Sequence, residues 1–315
     1  MMTSMSDTAS ASPMAVTPLR AGALLDARAA GTPARLDLGQ VLRAYQTYGA
    51  VLLRGLDLDR RGFKDFTERF LDRFMDYVGG ADNDRSSAYG DDNTVLTVTG
   101  GAVAKLAVPL HGEMFYTQPR PATLFFCCIT PAAERGETTL CDGVALWNAL
   151  PAAIQERFDA QKIQYRRIYD RDTWHKVYRT DDLAQVEQRC ADAGLGLRAR
   201  DDGGIEVTHV CHAWLPTTAG KAFVNSILPW AAREYVAGMA DSEVRFEDGS
   251  ELPVDMLYEI HGIADELTQN VDWQPGDVAL VDNRRFMHGR RAYDDLRRDI
   301  IMRLGAAPLE GAAGG

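Results

Sequence analysis

The strongest constraint on the fold is a recurrence of short apolar or β-branched runs, each bounded by Gly, Pro, Asp or Asn. Residues 94–99, 124–130, 138–140, 163–168, 205–210, 222–225 and 278–281 all have this form. Branched and aromatic side chains suit a pleated, half-buried surface, and turn residues hold each run to strand length. Helical spacing interrupts the series. Leu38, Val41, Leu42 and Tyr45 predict a helix over 37–48, followed by a short strand over 50–53. Phe63, Phe66, Phe70 and Phe74 predict a second helix over 61–77, with the aromatics as one core-facing stripe. Further helices are expected over 143–157, 183–193 and 254–269. Many short strands with helices at the N-terminal end imply a β-sandwich or jelly roll backed by helices, an α+β chain that is mainly β.

Composition bears on partners. The 315 residues, 46% of them hydrophobic, can bury a substantial core, and a net charge of −11 would repel a phosphate backbone. Nucleic acid is therefore not expected as a partner. The arginines at 284, 285, 290, 291, 297 and 298 lack the interleaved aromatics of a single-strand groove. Five cysteines without a CxxC pair predict reduced thiols and a cytoplasmic setting. No apolar run reaches the roughly 20 residues of a membrane span. Residues 1–18 are expected to form a disordered tail, 19–308 a single domain and 309–315 a flexible end.

Chemistry concentrates in three places: His111 and Glu113 in LHGEMFY, His288 in VDNRRFMHGR, and the arginines of 297–303 (RRDIIMR). On an extended segment His111 and Glu113 share a face, and His288 follows a strand and a turn that can bring it alongside. Two imidazoles and a carboxylate on one side of an octahedron leave three positions open, the facial arrangement of non-haem Fe(II) oxygenases. Other histidines have plainer readings. His209, Cys211 and His212 cannot all meet one ion from an extended strand, so a partly exposed strand end is expected there. His175 and His261 have no partner at ligand spacing. GGAVAK at 100–105 lacks the close of a phosphate loop and reads as a turn.

In family order, YGAVLLRGL, LHGEMFY, RGETTLCDG, WNALP and WQPGDVALVDNRRFMHGRRAY make the chain resemble the TauD/TfdA group of Fe(II)/2-oxoglutarate dioxygenases across most of its length. The resemblance implies a double-stranded β-helix (jelly roll) core with flanking helices. It implies Fe(II) on His111, Glu113 and His288, and 2-oxoglutarate held by Thr138 and a trailing arginine. Arg298 lies ten residues past His288, whereas Arg303 breaks the usual spacing to a second arginine. Arg298 is thus the expected cosubstrate anchor, with Arg303 as the alternative or as a contact for a substrate carboxylate. Glu113 in place of the commoner Asp is similar to the clavaminate synthase and amino-acid hydroxylase branches, and it occupies the position a halide would need.

These features imply a small-molecule substrate, O2 as co-reactant, and oxidation of an unactivated C–H bond with release of succinate and CO2. The expected substrate is an amino acid or related natural-product intermediate, free or tethered to a peptidyl carrier protein. Hydroxylation is the leading outcome, with desaturation, epoxidation or ring closure at the same site as alternatives. A non-catalytic jelly-roll binding protein and a zinc hydrolase are the competing classes. Phe115, Tyr116 and Trp174 are expected to contact the substrate, under lids formed by loops 82–92 and 171–179.

Overall fold

The computed structural model describes residues 13–77, 87–89, 92–98, 106–236, 238 and 241–309. Two sheets face each other. The larger runs in spatial order Ala15–Pro18, Ala23–Asp26, Ala50–Arg54, Val278–Asp282, Thr123–Thr130, Asp299–Gly305, Asp92–Thr97 and Ser87–Tyr89, with Phe74–Met75 paired to Asp299–Gly305. The smaller runs Gln269–Val271, Thr138–Asp142, Phe286–Arg290 and Val108–His111. Leu124, Phe126, Cys128, Ile300 and Met302 of the larger sheet meet Leu140, Val271 and Phe286 of the smaller one in the core between them. This is the jelly roll with flanking helices that the sequence implies.

Thr123–Thr130 is apolar almost throughout because both of its faces are covered. Phe125 and Cys127 point outward into a second core under the helices Leu38–Tyr48 and Arg60–Thr67. Asp37 caps the first helix by accepting from Gln40 N, and Gly49 ends it in the left-handed region, φ 73°. The segment 143–268 leaves the jelly roll after Thr138–Asp142 and builds a separate four-stranded sheet. Its order is Gly196–Ala199, Ile205–Cys211, Ile163–Tyr169 and Ser242–Phe246. A third core packs this insert behind the smaller sheet, whose Leu110, Cys141 and Met287 point into it. Among the described residues no helix is long and apolar enough to cross a membrane.

Several expectations are corrected. The helix expected over 61–77 ends at Thr67, where Glu68 N donates to the Lys64 carbonyl and Arg303 reaches across to the same carbonyl and to the Thr67 hydroxyl. Phe70 and Phe74 still meet Phe125, each at 6.1 Å between ring centroids, from a turn and a short strand. The helix expected over 143–157 divides into Gly143–Ala149 and Ala152–Ala160, since Pro151 holds Leu150 extended. Residues 171–179 are not an open loop: Arg171–Tyr178 is a helix capped by the Asp170 carboxylate, which accepts from Thr173 N. Loop 82–92 and the turn at 100–105 lie largely outside the described residues. The tail expected over 1–18 gives way to strand at Ala15–Pro18, and Leu309 is buried beneath the helices. Residues 1–12 and 310–315 lie outside the described residues.

Candidate metal centre

His111 ends the strand Val108–His111 and stands directly opposite His288 of Phe286–Arg290. Cross-strand pairing brings the two imidazoles to 4.3 Å between centroids. Close approach of these strands needs Gly289, where a Cβ would sit 2.5 Å from the Val108 carbonyl oxygen. His111 Nδ1 donates to the Pro109 carbonyl at 2.9 Å, a contact that keeps the proton on Nδ1 and the lone pair on Nε2. His288 Nδ1 has no hydrogen-bond partner among the described residues, and its ring packs on Phe126 at 5.4 Å.

The chain turns sharply after His111, so Glu113 belongs to a turn and not to the strand. Its position is fixed by backbone contacts. Gly112 N donates to the Asn225 carbonyl, and Ser226 Oγ donates to the Gly112 carbonyl. A side chain at Gly112 would collide with the Phe115 ring, 2.4 Å from a built Cβ. Asn283 then brackets Glu113: its Oδ1 accepts from Glu113 N at 2.8 Å and its Nδ2 donates to the Glu113 carbonyl at 3.1 Å. Glu113 Oε2 thereby lies 3.4 Å from His288 Nε2, with both side chains buried. One ligand atom from each of His111, Glu113 and His288 falls within 4.8 Å of the other two. Two imidazoles and a carboxylate held together, the carboxylate and one imidazole buried, fit a divalent cation such as Fe(II), which would offset the cost of burying the carboxylate.

Thr138, Arg290 and Arg298 form a further polar group. Thr138 shares a face with Leu140, which pairs with His288. Its hydroxyl oxygen accepts from Trp273 Nε1 at 3.0 Å, which leaves the hydroxyl proton to donate elsewhere. Thr138 pairs with Arg290, whose charge in turn acts on Arg298. Arg298 is 3% exposed; its Nε donates to the Gly136 carbonyl at 2.7 Å, and a terminal guanidinium nitrogen has no partner among the described residues. Burial, with Arg290 adding, lowers its pKa to about 10, so it keeps its charge at neutral pH. A buried guanidinium with an unpaired nitrogen suits a carboxylate.

Other expected site residues fall elsewhere. Arg303 points to the opposite face of the sheet, where it donates to Thr94 Oγ1, Thr67 Oγ1 and Glu68 Oε1 and covers the Phe74 ring. It lies on the face away from the smaller sheet, because neighbouring residues of a strand take opposite faces and Met302 holds the inner one. Trp174 is buried in a small core with Val186 and Cys190 and donates its indole N–H to the Gly203 carbonyl. Phe115 is fully buried in the core of the insert. Of the three aromatics only Tyr116 reaches a cavity of about 710 Å³ that Met114, Arg167, Tyr169 and Trp230 also line. His209 is buried and not at a partly exposed strand end. The supports Asn283, Ser226 and Trp273 and the cavity cation Arg167 were not singled out as site residues from sequence; only the DN pair preceding the HGR motif hinted at Asn283.

The family described as Taurine catabolism dioxygenase TauD, TfdA family matches residues 16–304. The chain belongs to this family. As a TauD/TfdA member it is an Fe(II)- and 2-oxoglutarate-dependent dioxygenase, an oxidoreductase that takes O2 and a small molecule. It is similar to a clavaminate synthase-like protein of Arabidopsis thaliana, 29% identical over 268 residues that cover 79% of each chain. It is also similar to the dapdiamide synthesis protein DdaC of Enterobacter agglomerans, 21% identical over 79% of this chain and 80% of that one. Among solved structures, PvcB of Pseudomonas aeruginosa shares the fold with a TM-score of 0.60 at 16% identity, over 95% of this chain and 94% of PvcB. PvcB is an Fe, alpha-ketoglutarate dependent oxygenase from an isonitrile synthetic pathway.

Proposed function

We propose that this dioxygenase hydroxylates an unactivated C–H bond of an amino acid or related small metabolite. His111, Glu113 and His288 would hold Fe(II), and Arg298 with Thr138 would hold the distal carboxylate of 2-oxoglutarate. The observation that carries the reading is the convergence of the three donors, two of them buried, in a chain that also holds a buried arginine with an unpaired nitrogen. Bound iron supplies the oxidising chemistry, with 2-oxoglutarate leaving as succinate and CO2. The protein's own part is positional. Asn283 and Ser226 keep the Glu113 turn rigid, Trp273 orients the Thr138 hydroxyl, and Met114, Tyr116 and Trp230 line a largely apolar cavity for the substrate.

DdaC and PvcB are named for synthetic pathways, which supports a natural-product intermediate as substrate. The experiment is aerobic incubation of the Fe(II)-loaded protein with 2-oxoglutarate and a panel of amino acids, free and as pantetheine thioesters. Succinate release coupled to gain of one oxygen atom by a panel member supports the reading. Loss of two hydrogens assigns desaturation or ring closure instead. Stimulation by thioesters alone points to a carrier-tethered substrate. Absence of 2-oxoglutarate consumption with every candidate rejects the proposal.

A further inference from the structure

A second cluster of nitrogens lies in the insert, outside the metal centre. On its sheet Tyr165 pairs with His209 and Ile163 with Cys211, so these four side chains share one face. That face turns into the core of the insert, where Ile163 and Tyr165 are buried. Arg120 reaches the same region from the loop after Tyr116. Its guanidinium carbon lies 4.4 Å from the Phe115 centroid, and its charge acts on His209 and Cys211. Gln118 turns its amide oxygen to Nε at 3.3 Å and to Nη2 at 3.0 Å. The third nitrogen, Nη1, is closed off from solvent and has no partner among the described residues. His209 is 6% exposed, and neither of its ring nitrogens has a partner there.

The cluster holds a positive charge and no negative one to match it. Among the described residues the groups that favour the Arg120 charge are the Cys211 thiol and the Tyr165 phenol, and no carboxylate joins them. Burial pushes the thiol up to about 11 and raises the phenol well above its ordinary value, so both are neutral at pH 7. Burial also keeps the His209 imidazole neutral, with one N–H to donate. Buried polar groups are ordinarily hydrogen-bonded and buried charges paired, because leaving either without a partner forfeits its hydration. Gln118, Pro119, Tyr165 and Val207 line the cavity of about 710 Å³, so the cluster adjoins a space from which a small ion can enter. With its nitrogens closed off from solvent, the cluster suits only a compact occupant.

We infer that Arg120 and His209 form a binding site for a compact monovalent anion, a halide or a small carboxylate such as formate. The anion accepts from Arg120 Nη1 and from one His209 ring N–H, and it supplies the negative charge that this part of the core lacks. It also holds the guanidinium on Phe115, the ring that fills the space against Gly112 between two of the candidate metal ligands. The site uses none of those ligands and does not depend on the proposed reaction.

Nuclear magnetic resonance titration of the full chain, with diamagnetic Zn(II) in place of Fe(II), tests the site apart from turnover. Sodium bromide and sodium formate are the probes, with sodium sulfate holding the ionic strength constant. The His209 ring resonances are expected to move saturably. Movement with bromide alone assigns a halide, with formate alone a carboxylate, and with both a site selective for size and charge. R120M should weaken the affinity read at His209 about tenfold or more, and H209F should weaken the affinity read at the Arg120 Nε–H about threefold to tenfold. Should R120M fail to fold, the loss in folded H209F carries the same conclusion. No saturable movement with either probe, the result if water alone satisfies these nitrogens, overturns the assignment, as does unchanged affinity in either variant.

Discussion

The metal centre and the roof of the cavity are both built on β-strands, but they place their functional groups differently. In the jelly roll the backbone does the placing: His111 and His288 meet because their strands pair in register, and Glu113 joins them because Asn283 holds both its N–H and its carbonyl. In the insert, side chains do it. Arg167 is positioned by the rings around it, which come from its own strand, from the turn after Glu113 and from Trp230. A register contact is shared by any chain that keeps the sheet, whereas a ring of side chains changes with single substitutions. The candidate metal ligands are therefore placed by the sheet and the cavity cation by the insert.

The largest expected effect lies in the jelly roll. H111A, E113A and H288A should each cut succinate formation by about a thousandfold or more, because three ligands are the fewest that hold the metal with open positions. Circular dichroism should show the fold retained. If turnover survives in one of these variants, that residue leaves the metal set.

Arg298 and Arg303 sharpen the contrast within one stretch of chain. R298Q should raise the KM for 2-oxoglutarate about tenfold to a hundredfold, the loss of a charge-assisted bond of about 1.5–3 kcal/mol. R303Q should leave that KM unchanged and lower stability by about 3 kcal/mol in urea unfolding, since it removes the bonds that close the helix Arg60–Thr67. The reverse pattern would mean that the final strand faces the other way.

The insert should respond to acid. Burial, with Arg120 adding, pushes the His209 pKa down to about 4, so between 6.5 and 4 the unfolded chain binds a proton that the folded one does not. Stability should therefore fall by roughly 2 kcal/mol as pH drops through that window, and H209F should remove this part of the slope in urea midpoints. The smallest effect is expected from W174F, which gives up only the indole bond to Gly203. It should cost about 1 kcal/mol and leave kcat and KM unchanged, whereas a changed KM would return Trp174 to the substrate site.

Much of this was legible from residue order alone. The run 124–130 reads as a central strand because no polar residue interrupts it, and the spacing around Val41 and Tyr45 reads as a helix ended by Gly49. His111, Glu113 and His288 stood out because imidazoles and a carboxylate at those places suit a metal. The helix after Arg60 is shorter than its spacing suggests, and its last turn packs against Arg303, more than two hundred residues away. Trp174 was misplaced for a related reason: an indole on an amphipathic helix packs inward whether a core or a ligand lies beneath it.

Sequence by itself marked several of the core strands, the candidate donors to iron, and a basic residue near the C-terminal strand as a candidate for a carboxylate. Tertiary structure alone decided faces. A strand in the middle of a doubly covered sheet is apolar on both sides, so its pattern does not say which side meets the smaller sheet and which meets the helices. Arg298 and Arg303 are both nearly fully buried, and only the packing of the sheets sends one to the Gly136 carbonyl and the other under a helix. The same holds for Arg167, whose strand shows an arginine on each side and whose contacts come from distant segments.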